Sequence, residues 1–120
     1  MSDEPRKALT AADVLAAPRV KPQWVDVPEW GGGVYVRALM AGELDDLQLT
    51  LGDEAAKEDR NFRGRVVALC ACDADGHPLF TEADAGRIAQ LDAPPVNRVF
   101  LAAQRLNGFG AEGVGRAEKN

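Results

Sequence analysis

One histidine, two cysteines and no long apolar run leave this 120-residue chain short of what metal binding and membrane insertion require. With His77 as the only imidazole, a tetrahedral zinc site lacks ligands. Cys70 and Cys72 lie two apart on a predicted helix, about 200° apart around its axis, so neither a disulfide nor a shared metal is natural there. Both read as small buried apolar residues. No stretch approaches the roughly 18 apolar residues of a membrane span. The first residues, MSDEPRKALTAADVL, are charged and lack the apolar block of a signal peptide, which places the chain in the cytoplasm where it is made. A basic excess is also missing. The net charge is −5, so non-specific binding to nucleic acid or an anionic membrane, which needs a positive surface, is not expected.

What is present is an ordinary apolar fraction of 46%, enough for one modest core in one domain. Val96, Val99, Phe100, Ala103 and Leu106 fall at the spacing of one helical face, and so do Phe62, Val66, Leu69 and Cys70. Two such faces must bury against each other or against a partner. Trp24–Val27 and Val34–Ala38 alternate in polarity around PEWGGG, the pattern of a β-hairpin. Such a hairpin is marginal alone, so its apolar face must lie on the helices.

Along the chain, Thr10 caps a first short helix with Asp13 three residues on and Leu9 able to staple onto Val14; Pro18 and Pro22 end it. A second helix runs from about Ala41 to Leu51, with Leu44, Leu47 and Leu51 on one stripe, and a polar connector follows. The third spans roughly Asn61 to Cys72, and DADG turns the chain, with Gly76 free to go left-handed. Thr81 caps a fourth, and Pro94 or Pro95 opens a fifth that Asn107-Gly108 stops. The expectation is α+β: a mostly α-helical single domain over 10–108, one β-hairpin packed on four or five helices, a flexible N-terminus over 1–9 and a flexible Gly-rich tail over 109–120.

No motif in this pattern carries chemistry. Gly31-Gly32-Gly33 leads into a strand instead of a helix, so it reads as a hairpin turn and not as a phosphate cradle. Ala71–Glu82 places Asp73, Asp75, Gly76 and Glu82 at calcium-loop positions, but Ala71 stands where the first carboxylate belongs. Paired carboxylates such as Asp45/Asp46 lie on polar faces with no histidine or cysteine near in sequence. Lys57, Arg60, Arg63 and Arg65 alternate with Glu54, Glu58 and Asp59, as helical ion pairs do. No enzyme activity, cofactor, or specific calcium, zinc or nucleotide binding is expected. Trp24 and Trp30 suit an interface or the edge of a small core equally well.

The segments TAADVL, VPEWGGGVYVRALMAGELD and NFRGRVVALCACDADGHPLFTEADAGRIAQLDAPPVNRVFLAAQRLNG together resemble the small tail assembly chaperones of long-tailed bacteriophages and prophages, from about Thr10 to Gly108. Met40 departs from the pattern, standing where such sequences often have a Thr or Ser cap. The resemblance implies a non-catalytic protein of the host cytoplasm that binds the tape-measure protein, keeps it soluble while the tail tube assembles, and is absent from the mature virion. It also implies a frameshifted longer form that recruits tail-tube protein. Self-association is left open. The expected contact residues are Leu101, off the core stripe of the last helix, Phe109 just past its end, and Trp30 on the hairpin. Two other classes remain: a structural minor tail or head–tail connector protein, and a small helical regulatory or antitoxin-like protein.

Overall fold

The computed structural model describes residues 6–52 and 61–109. Its elements are α1 (Ala11–Leu15), β1 (Gln23–Val27), β2 (Gly32–Val36), α2 (Ala41–Gly52), α3 (Phe62–Cys70), β3 (Ala71–Cys72), α4 (Ala85–Ile88) and α5 (Ala93–Asn107). Single 3₁₀ turns over Pro28–Trp30 and Glu82–Asp84 join β1 to β2 and lead into α4. The class is α+β: one antiparallel sheet, ordered β1-β2-β3, packed on helices. The polar connector 53–60, the first five residues and the tail from 110 lie outside the described residues.

The hairpin forms because alternate residues have somewhere apolar to go. Trp24 pairs with Tyr35 and Val25 with Val34, so the valines share one face of the sheet. Val27 and Val36 on that face are fully buried. Pro28 opens the connecting turn, and Gly31 closes it with φ +79°, a conformation that costs glycine nothing.

The third strand was not expected. The run predicted as helix through Cys72 stops at Cys70, and Ala71 turns extended at φ −68°, ψ 131°. The open edge of β2 captures these residues: Tyr35 pairs with Cys72 and Val36 with Ala71, and the Arg37 amide donates to the Cys70 carbonyl. Uniformly apolar sequence fits a buried strand as well as a buried helix, so only the neighbouring edge decides between them. Cys70 and Cys72 therefore sit on different elements. Both are free thiols in the core, and burial pushes Cys70 up to about 12 and Cys72 upward too.

The core gathers Val27 and Val36 from the sheet, Leu47 from α2, Val66 and Val67 from α3, Ile88 from α4, and Val99, Phe100 and Ala103 from α5. Gly64 lets α3 and α4 meet, because a Cβ there would run into the Ala85 carbonyl. The β2–α2 connection is held by polar contacts. Arg37 donates through Nε to the Leu69 carbonyl at 2.9 Å and through both Nη atoms to the Glu43 carboxylate at 3.0 and 2.9 Å. Asn107 reaches back from the end of α5: its Oδ1 accepts from the Leu39 amide at 2.7 Å, and its Nδ2 donates to the Arg37 and Ala103 carbonyls. Met40 lacks a capping hydroxyl, and Glu43 supplies the reciprocal half of a capping box by accepting from the Met40 amide at 2.8 Å. Thr10 with Asp13, and Thr81 with Asp84, form complete boxes, although Thr81 opens the 3₁₀ turn ahead of α4. The Leu9–Val14 pair does not shield its members, which remain 60% and 57% exposed. Helix α5 begins after Asp92 with Pro94 in its first turn and ends at Gly108.

Candidate protein-binding surface

The three expected contact residues part company. Leu101 lies opposite the buried stripe of α5 and is 41% exposed. Trp30 closes the 3₁₀ turn and is 39% exposed. Phe109 is fully buried and does not belong to a tail or to a surface. Its ring meets Phe100 edge-on at 6.2 Å. The cause is the helix stop itself: Gly108 turns left-handed, its amide bonds the Gln104 carbonyl, and the next residue is thrown back onto the last turns of the helix. A large apolar residue directly after a helix-stopping glycine was the signal that could have identified it.

An ion pair ties the turn that carries Trp30 to the helix that carries Leu101. Glu29, next to Trp30, accepts from Arg98 of α5, with Nη2 to Oε2 at 2.8 Å and Nε to both oxygens at 3.1 Å. Arg98 and Leu101 are three apart and share a helical face. The Arg98 guanidinium holds the Glu29 carboxyl below its ordinary range, although both groups are wet. Sequence reading missed this contact because its members are 69 residues apart.

Trp24 is 53% exposed on the other face of the sheet, where it meets Tyr35 edge-on at 5.1 Å and donates through Nε1 to Asp26 at 2.7 Å. Between α3, α4 and α5 an open groove of about 410 Å³ is lined by Phe62, Ile88, Leu91, Val96 and Phe100, with the Arg63 guanidinium 5.2 Å above the Phe100 ring.

The 71–82 turn is built on its own backbone. Asp73 Oδ1 accepts from the Asp75 and His77 amides at 2.9 and 3.0 Å, and the His77 amide leads in lowering the Asp73 pKa. Asp73, Asp75 and His77 come together here on exposed chain. A strand leads in and a 3₁₀ turn leads out, in place of the two helices that flank a calcium loop. Of the four basic residues read as a cluster, Lys57 and Arg60 lie outside the described residues, and Arg63 is exposed. No charged side chain is fully buried among the described residues, and the two thiols are locked in the core. What this arrangement offers is apolar surface on a packed scaffold.

No protein-family model and no curated protein matches the chain. Among solved structures it is similar to the bacteriophage HK97 tail assembly chaperone, with 22% identity and a TM-score of 0.56 over 72% of this chain and 84% of that one. The similarity establishes a tail-assembly-chaperone-like fold.

Proposed function

We propose that the protein is a non-catalytic phage tail assembly chaperone that binds the tape-measure protein and keeps it soluble while the tail is built. The observation that carries this reading is the shared fold, which spans most of both chains. The surface is consistent with it. Leu101 and Trp30 stand exposed on a rigid helix and turn, where they can cover apolar positions of a helical partner. Net charge −5 keeps such a protein soluble while it does so. Burying each of these side chains at an interface contributes roughly 1.5–3 kcal/mol, enough to change affinity tenfold or more. The protein acts in the host cytoplasm and leaves before the tail is complete. A longer frameshifted form recruiting tail-tube protein belongs to the same proposal.

The test is co-expression with the tape-measure protein of the same phage, measuring how much of that partner stays soluble. Wild type is expected to raise the soluble fraction well above an empty vector, and Leu101→Asp or Trp30→Asp to lower it while the chaperone itself stays folded. Phe109→Asp is unsuited because it breaks the core. Equal solubility with the empty vector overturns the proposal. Stoichiometric copurification with finished tails also overturns it, in favour of a structural tail or connector protein.

A further inference from the structure

The sheet is open along one side. Its order leaves β1 as an end strand, paired to β2 alone. Among the described residues no backbone group of 23–27 bonds outside that pairing, so the edge presents a row of unpaired amides and carbonyls. Pro22 and Pro28, which have no N–H to offer, stand just outside its ends and limit the usable edge to the five residues between them.

The same strand carries a side-chain anchor on the sheet face away from the core. Trp24 is 53% exposed, yet contacts on several sides fix its indole. The ring lies on the bare backbone of β2, where a Cβ at Gly33 would strike it. It meets the Tyr35 ring edge-on, and its Nε1 donates to Asp26 Oδ1. The other Asp26 oxygen accepts nothing, and the carboxylate enters no ion pair among the described residues. A large aromatic already held still loses little freedom on binding. With an unpaired carboxylate beside it, its open face selects a cation.

We propose that the β1 edge receives a short, extended, basic segment of a partner protein, which adds as a fourth strand and lays an arginine on Trp24. The side chain opposite Trp24 in an added strand falls on the same face, about 5 Å away between Cβ atoms, and the one two residues along falls opposite Asp26. A guanidinium is flat enough to stack on the indole and can donate to the open Asp26 oxygen. The residue between the two basic positions points to the other face, beside half-buried Val25. The fitting pattern is therefore basic, β-branched, basic, with backbone pairing supplying affinity and the alternate side chains specificity. A net charge of −5 favours such a partner. The surface uses neither Leu101 nor Trp30 and needs nothing from the chaperone reading.

The test is an NMR titration of the isotope-labelled full chain with the peptide acetyl-Thr-Arg-Val-Arg-Thr-amide, from micromolar to millimolar. The Trp24 indole N–H should shift and saturate while that of Trp30 moves little. At least one β1 amide should exchange with solvent more slowly in the saturated complex. Asp26→Asn should weaken binding about threefold, as loss of one exposed ion pair does, and the same peptide with Glu in place of Arg should not bind. Asp26 is exposed, and unchanged resonances of Val66 and Val99 show that the variant keeps its fold. The proposal is overturned if the Trp24 indole does not saturate in the millimolar range, or if no β1 amide gains protection. It is also overturned if the acidic peptide, or the Asp26→Asn protein, binds equally well. A Trp24 signal that moves with protein concentration alone means that a second copy takes the edge, which overturns it too. Because no tape-measure protein is present, none of these outcomes bears on the chaperone assignment.

Discussion

Two residues of similar character on the same stretch of chain have opposite roles. Leu101 is exposed and Phe109 is sealed against Phe100. Phe109→Ala should therefore cost about 3–5 kcal/mol in chemical denaturation, whereas Leu101→Ala should change stability by less than about 0.5 kcal/mol. The cysteines follow the same logic. A thiol pushed up to about 12 by burial carries almost no thiolate near neutral pH. Cys70 should react with iodoacetamide only in denaturant, as quantified by mass spectrometry. Rapid labelling of the native protein would show that the core opens at this point.

Two element-scale features depend on fine fit. Helix α3 approaches α4 so closely at Gly64 that a single added methyl meets the Ala85 carbonyl. Gly64→Ala normally gains helix propensity of up to about 1 kcal/mol, but here the collision with backbone should outweigh it and lower the melting temperature. The start of α2 depends on Glu43, whose pKa is lowered from 4.5 chiefly by the Arg37 hydrogen bonds, with burial opposing. A depressed carboxylate contributes stability that is fully present above its unfolded value and is lost as pH falls through the folded one. Stability should decline as pH drops below about 4.5. In Glu43→Gln the part of that decline due to Glu43 should disappear, and stability at neutral pH should fall by roughly 1–3 kcal/mol, because the charged hydrogen bonds from Arg37 and the tie to the Met40 amide are weakened.

At the scale of the molecule, burial is concentrated where α3 and α5 meet the sheet, while α1 buries none of its five residues. Native hydrogen exchange should mirror this division. The amides of Val66, Val67, Val99 and Ala103 should exchange slowest, near the global unfolding rate. Those of α1 should exchange fastest despite its complete capping box, since a helix of one turn has no stability of its own in water. Protection of α1 comparable to α5 would mean that it docks on something.

Local chemistry alone determined much of this architecture. Period-two alternation marked the hairpin, period 3.6 marked α3 and α5, and Thr10, Thr81, Pro94 and Gly108 marked element boundaries, because each of these signals acts over a few neighbouring residues. Leu101 was legible as exposed for the same reason, since it falls off the stripe of its own helix. What only the tertiary structure decided are matters between distant segments. The fate of Ala71 and Cys72 depended on the edge of β2 lying beside them. Glu29 found Arg98 across 69 residues, and Asn107 closed on the Arg37–Leu39 backbone from the far end of the chain. Phe109 belonged to the core because a left-handed glycine aimed it there, where Phe100 was already in place. Apolar periodicity says that a face must be covered; which residue covers it is set by packing in three dimensions.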